Sequence, residues 1–164
     1  LAKARARLGG RVHHGELEAL GFPSRSFDCI VGWDYIEHVP DPEAVIHECA
    51  RLLRPGGLLI VSTPEHGSLS ARLLGRSWRE YKRDHLFYFS RKGMRGLLAR
   101  HGLDIVETTH IGKYVILGWL TRRLSAYNVF ISRSAQFLVR MIGLEEKSVY
   151  INPHDIMMVM AKKS

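Results

Sequence analysis

The chain is 164 residues long and 46% apolar, and its 24 Lys and Arg outnumber 16 Asp and Glu to give a formal charge of +8. That composition excludes a disordered, collagen-like or coiled-coil polypeptide and leaves room for one domain around one hydrophobic core. The basic residues are scattered singly or in pairs, as on solvated helix faces, and Tyr114 to Leu120, the longest mainly apolar stretch, is far short of the roughly 20 residues a membrane span needs. Cys29 and Cys49 each sit in an apolar stretch with no CxxC pair and no secretory segment before them. They read as small core residues of a protein kept in a reducing compartment, the cytoplasm.

Leu1 to Arg7 reads as the last turns of a helix already under way, and a start at Leu rather than Met reads as a piece of something longer. Arg11 to His14 is a candidate strand end, and Gly15 to Ser26 a loop. Phe27 to Trp33 and Leu58 to Thr63 are near-continuous apolar runs, the pattern of parallel strands covered by helices on both faces. Between them Asp41 can cap a helix with Pro42 at its first position. Val45, Ile46, Cys49, Leu52 and Leu53 then fall on one face, and Pro55-Gly56-Gly57 stops it. Strand, helix, strand in this order makes the fold class α/β. Ser90 can cap a second helix with Met94, Leu97, Leu98 and His101 inward and Gly102 at its stop, followed by a strand over Leu103 to Thr109. The last strand is Asp155 to Ala161, with Lys162 and Lys163 leaving into solvent. Gly112 to Tyr150 is an insertion of one or two helices, with Leu117, Leu120, Leu124, Tyr127, Ile131, Leu138 and Ile142 at helical spacing. Packing against the sheet is the expected use of that face; contact of its basic amphipathic side with a membrane surface is the alternative.

Ligands of open α/β sheets bind at the carboxyl ends of the strands, where Gly15 to Leu20, Gly32 to His38 and Thr63 to His66 are expected. Read in order, Gly15-Glu16-Leu17-Glu18-Ala19-Leu20, Phe22-Pro23-Ser24-Arg25-Ser26-Phe27-Asp28, Tyr35-Ile36-Glu37-His38-Val39, Arg51-Leu52-Leu53-Arg54-Pro55-Gly56-Gly57 and Ser62-Thr63-Pro64 form a series. It resembles the second half of class I S-adenosylmethionine-dependent methyltransferases. The resemblance covers nearly all of residues 8 to 110, and Asn152 to Lys163 resembles that family's last strand. Phe27 to Pro42 is most similar to the O-methyltransferases of ubiquinone-type quinone biosynthesis.

The resemblance implies a Rossmann-like methyltransferase sheet, mostly parallel with an antiparallel last pair, and S-adenosylmethionine as cofactor. Glu16 matches the acid that accepts from the adenine amino group and Leu17 the neighbour whose backbone N–H meets the ring, roles their chemistry allows. Gly32, Trp33 and Asp34 match the segment along the methionine part of the cofactor, although Trp33 suits a core aromatic equally well. In quinone-type relatives an acid, x, x, Glu, His pattern goes with a divalent metal, and Asp34-x-x-Glu37-His38 keeps it. The alternative is that Glu37 and His38 organise the start of the next helix, and no metal site is assigned. His38 is the candidate general base. Glu37, Trp78, Tyr81 and His85 are candidates for an apolar acceptor site with polar handles, with coverage of the sheet as the alternative for the aromatics.

Set against this family, the first strand, its Gly-x-Gly-x-Gly turn, the next helix and the second strand are missing, and Gly9-Gly10 does not replace them. The expected domain is thus a partial one over residues 1–164, with core elements at 1–110, a helical insertion or substrate lid at 111–150 and the last strand at 151–164. The function implied is methyl transfer to a small-molecule acceptor, with O-methylation of a quinone or phenol-like substrate as its finer form. The alternative is a non-catalytic half-domain that acts through its open sheet edge, as a homodimer or by pairing with another chain. A nucleic-acid partner lacks any reader motif, and a nicotinamide-dependent dehydrogenase lacks Gly-x-Gly-x-x-Gly.

Overall fold

The computed structural model describes residues 2–126 and 128–164; Leu1 of the expected first helix and Tyr127 of the expected insertion helices lie outside them. Helix α1 (Ala2–Leu8) leads into a single 3-10 turn at Gly9–Arg11. That turn replaces the strand end expected over Arg11 to His14, whose residues pair with no strand.

Strand β1 (Phe27–Trp33) runs parallel to β2 (Leu53–Pro64), connected by α2 (Pro42–Leu52). The Asp41 side chain accepts the Ala44 N–H at 3.0 Å, and Pro42 fills the first helical position, where no N–H is needed. Val45, Ile46, Cys49 and Leu52 form the buried face of α2. β2 starts earlier than its apolar run predicts. Phe27 pairs with Leu53 but Cys29 with Leu58, so residues 54–57 bulge from the ladder. Gly57 belongs to that bulge because a Cβ there would lie 2.9 Å from the Arg54 carbonyl oxygen.

Helices α3 (Leu69–Leu74) and α4 (Arg91–Ala99) precede β3 (Leu103–His110). Ser90 caps α4 by accepting the Gly93 N–H at 3.1 Å, and Gly102 takes φ +67 after its end. The insertion contains α5 (Leu117–Arg123) and α6 (Val129–Met141), framed by β4 (Lys113–Ile116) and β5 (Ser148–Ile151), a short antiparallel pair absent from the sequence reading. β6 (Ile156–Lys163) closes the main sheet in the order β1-β2-β6-β3, antiparallel to both neighbours. Three of its strands therefore point one way and the last is reversed between them, the α/β arrangement expected.

One face of the sheet, through Leu59, Val61, Met157, Val159 and Ala161, packs on α2 and α4 to form the core. The opposite face is only partly covered among the described residues: Val31 is 57% exposed, and Ile60, Met158 and Met160 are half-buried. The expectation of helices on both faces is thus corrected, and with it that of two core cysteines, since Cys29 is exposed on that open face while Cys49 is buried. Lys162 and Lys163 continue the strand, Lys162 with its side chain exposed as expected and Lys163 half-buried. They pair with Leu58 and Leu103, and Lys163 Nζ donates to the Leu53 carbonyl at 2.8 Å. In the insertion, Ile131, Leu138 and Ile142 are exposed, because α6 packs mainly on α5 and not on the sheet.

Candidate active site

Two cavities meet at the carboxyl end of β1. The first is an open, largely apolar cleft of about 430 Å³, walled by Gly15, Leu17 and Leu20 from the loop and by Gly32, Trp33 and Tyr35 from the strand end. The second is a polar pocket of about 210 Å³ lined by Asp34, Glu37, His38, His85, Lys82 and Lys113 among others. Trp33 faces one and Asp34 the other, so a single peptide step divides them.

The cleft has the features a flat, elongated cofactor needs. A Cβ at Gly32 would make only ordinary contact, 3.5 Å from Val61 Cγ1, so nothing in the chain's own packing requires glycine there. Trp33 and Tyr35 are 56% and 41% exposed at its mouth, an uncommon display for large aromatics. Burial pushes the Tyr35 phenol up, with the carboxylates of Glu18 and Glu16 adding to the rise. Glu16 is exposed at the rim, and among the described residues its carboxylate has no hydrogen bond or ion pair. Its carbonyl instead accepts the Ala19 N–H at 3.1 Å, which starts the 3-10 turn at Glu18–Leu20.

Asp34 is clamped at the divide. It adopts φ +46, its N–H donates to Ser62 Oγ at 2.9 Å, that hydroxyl donates back to Oδ1 at 3.0 Å, and Lys113 Nζ reaches Oδ2 at 3.1 Å. A left-handed Asp costs about 1 kcal/mol or more and persists where surrounding contacts over-determine it. The strand therefore ends in a fixed corner that sends Glu37 and His38 into the pocket while Tyr35 and Ile36 turn to the cleft.

Within the pocket, ligand atoms of Glu37, His38 and His85 all lie within 4.8 Å of one another, close enough to share one hydroxyl or one cation. Glu37 is 1% exposed and His85 6%, and among the described residues neither Glu37 Oε2 nor His85 Nδ1 has a hydrogen-bond partner. Two orphaned buried polar atoms facing one pocket are the mark of a site that a ligand completes. The Asp84 carbonyl accepts a hydrogen bond from His38 Nδ1 at 2.8 Å, so Nδ1 carries the proton and the lone pair of the neutral ring is on Nε2. Burial lowers the His85 pKa, with Lys82 adding to the fall and Glu37 opposing it.

Of the residues expected in the site, the structure brings Leu17, Gly32 and Trp33 to the cleft, with Glu16 at its rim, and gathers Asp34, Glu37, His38 and His85 in the pocket. Trp78 and Tyr81 line neither. Trp78 is 1% exposed and donates from Nε1 to Asp155 Oδ2 at 3.1 Å, while the Tyr81 hydroxyl bonds His66 Nδ1 at 3.0 Å. Both belong to an aromatic cluster with Tyr88 behind the pocket. Glu80, Lys82, Asp84 and Lys113 went unread. The dense charges of Arg79 to His85 were a usable signal, whereas Lys113 comes from the insertion and had none.

The reversed last strand and a cleft at the strand ends define a Rossmann-like α/β domain. The sequence profile of a family described as methyltransferase domain matches residues 3–108, and the chain belongs to that family. It is 34% identical over 116 residues to a Mycolicibacterium smegmatis protein named "Probable S-adenosylmethionine-dependent methyltransferase", covering 58% of this chain and 45% of that protein. It is 46% identical over 68 residues to a ubiquinone biosynthesis O-methyltransferase of Xanthomonas oryzae, covering 35% of this chain and 28% of that protein. The chain thus spans less than half the length of these relatives. A Thermotoga maritima structure described as a SAM-dependent methyltransferase superposes with a TM-score of 0.61 at 20% identity, covering 99% of this chain and 69% of that one, a likeness of fold.

Proposed function

We propose that this chain supplies the acceptor pocket and one wall of the cofactor cleft of an S-adenosylmethionine-dependent methyltransferase that methylates a small molecule, with the hydroxyl of a phenol- or quinol-like ring as acceptor atom. The observation that carries the reading is the junction at Trp33 and Asp34, where an apolar cleft with a glycine wall meets a pocket holding unpartnered Glu37 and His85 atoms. When bound, the cofactor supplies a methyl group already activated on a sulfonium. Leu17, Gly32 and Trp33 are the residues that would hold it, with Glu16 at the adenine end.

The chain's own residues then have little left to do beyond alignment, which accounts for much of the barrier in such a transfer. His38, with Nδ1 committed to the Asp84 carbonyl, offers Nε2 to a hydroxyl proton. Glu37 and His85 orient that hydroxyl. Residues 111–150 act as a substrate lid in this reading, supported by the Lys113 contact to Asp34, and residues 1–110 and 151–164 form the core and its last strand. The setting is cytoplasmic; among the described residues no helix is long and apolar enough to cross a membrane.

Calorimetric titration of the full-length protein with S-adenosylhomocysteine tests the reading. Binding that Glu16→Ala weakens is expected, and since Glu16 is exposed the variant folds. A well-folded protein that takes up no cofactor overturns it. That outcome would favour a second reading, in which the open edge of β1, with Val31 and Trp33 exposed beside it, pairs with another chain. Sedimentation equilibrium then reads a mass above that of the monomer.

A further inference from the structure

Helix α6 is arranged opposite to a helix that covers a core. Its inward side is small and polar: Ser132 is 1% exposed and donates from Oγ to the Thr121 carbonyl at 2.8 Å, and Gln136 Nε2 donates to Ser132 Oγ at 2.8 Å. Its outward side is apolar. Phe130, Phe137 and Met141 are 81%, 63% and 67% exposed, and they fall at i, i+7 and i+11, a single stripe along the helix with Leu138 beside it. Arg133 and Arg140, also seven apart and both exposed, flank the stripe.

Charge distinguishes the occupants such a face could have. From Thr108 to Leu144 the sequence contains no Asp or Glu, while Lys113, Arg122, Arg123, Arg133 and Arg140 lie within it. A second copy docked by twofold symmetry would set the Arg133 and Arg140 row against itself, with no carboxylate on α5 or α6 to answer it and only Glu145 and Glu146 beyond the end of α6. Nucleic acid would meet the arginines but leave the phenylalanines in water. A leaflet of anionic phospholipid satisfies both, taking the apolar stripe into the acyl boundary and the guanidinium groups at its phosphates. Trp119, 47% exposed on α5 with Arg123 5.4 Å over its ring, adds an aromatic of the kind favoured at that depth.

We propose that the α5–α6 insertion is a peripheral docking surface for an anionic lipid bilayer, with α6 lying in the plane of the interface. The proposal stands apart from the methyltransferase reading, because it concerns binding and needs no turnover. Co-sedimentation of the full-length protein with vesicles tests it, using phosphatidylcholine alone and phosphatidylcholine mixed with phosphatidylglycerol. Partition onto the mixed vesicles and not the neutral ones is expected, weakening as salt is raised. Arg133→Gln with Arg140→Gln should lower the partition coefficient roughly 30-fold. Phe130→Ser with Phe137→Ser should abolish binding without lowering the melting temperature, since both rings already stand in solvent. The proposal is overturned if the protein stays in the supernatant with both vesicles, or if it binds but the phenylalanine pair has no effect. It is likewise overturned if that pair converts a dimer to a monomer by sedimentation velocity, which would assign the face to a second copy.

Discussion

Trp78 is where two uses of one side chain make opposite predictions, and Trp78→Phe separates them. The structure has the indole 1% exposed, with Nε1 3.1 Å from Oδ2 of Asp155, itself only 2% exposed. Phenylalanine keeps most of the ring but removes the donor, leaving a buried carboxylate oxygen that water cannot reach. A hydrogen bond to a charged group is worth about 2–3 kcal/mol, and the lost part of the ring, on the order of 40 Å² of apolar surface, adds about 1 kcal/mol. The sum, about 3–4 kcal/mol, is a large part of the 5–15 kcal/mol typical of a domain and corresponds to a melting temperature lower by roughly 10 °C. Urea unfolding and a thermal scan measure this directly. A cycle with Asp155→Leu checks the partner, because the double variant should lose clearly less than the two single losses added. If instead the stability is unchanged and the KM for a methyl acceptor rises, Trp78 is a wall of the acceptor site and the argument from burial fails.

Burial holds the His85 imidazole below its ordinary value of 6.5, so the unfolded chain binds a proton where the folded chain does not. Stability is then full above that ordinary value and is lost as pH falls toward the lowered folded one; His85→Asn should flatten this slope in pH-dependent urea titrations, and an unaltered profile would count against it. The Cys49 thiol is pushed up to about 12 by burial while Cys29 is exposed, so an aromatic disulfide reagent should titrate Cys29 in the native protein and Cys49 only on unfolding. Fast release from both thiols would contradict the buried placement of α2. Gly57→Ala drives a Cβ against the Arg54 and Asp28 carbonyl oxygens, at 2.9 and 3.2 Å, and should lower stability by about 1–3 kcal/mol. Gly10→Ala, with nothing within 4 Å, is its control in the same urea titration and should be nearly silent.

What could be read from the sequence divides along a physical line. Caps, stops and apolar periodicity are local, and they located β1, α2, α4 and β3 to within a residue or so, because Asp41, Ser90 and Gly102 act on neighbours a few positions away. Exposure is not local. The apolar run of β1 is what a strand buried on both sides looks like, yet Cys29 and Val31 are open, since coverage is decided by elements elsewhere in space. The same reason explains α6. Ile131, Leu138 and Ile142 have the spacing of a core face, and periodicity alone does not say whether the apolar side of a helix turns in or out.

The candidate site follows the same rule at shorter range. Residues 32 to 38 are consecutive, so a strand end and the turn after it carry Gly32, Trp33, Asp34, Glu37 and His38 to one corner, as their order implied. The contacts that give this corner its chemistry come from far along the chain: Ser62 and Lys113 on Asp34, and the Asp84 carbonyl on His38. Each is an ordinary polar group whose effect depends on register. Ser62 pairs with Trp33 across the parallel ladder, which sets its hydroxyl beside the next residue, Asp34. The Glu37 carbonyl accepts the N–H groups of Leu86 and Phe87 at 2.8 and 3.2 Å, so the turn after β1 and the segment after His85 move as one. His85 is consequently held against His38, ring centroids 4.7 Å apart and edge to face, by these backbone bonds together with the bond from His38 Nδ1 to the Asp84 carbonyl. Phe87→Pro, which removes one of the two donors to the Glu37 carbonyl while keeping Glu37 and both histidines, should therefore loosen the pocket, read as a lower melting temperature and weaker binding of a methyl acceptor; unchanged values of both would refute a role for this backbone pair in holding the pocket.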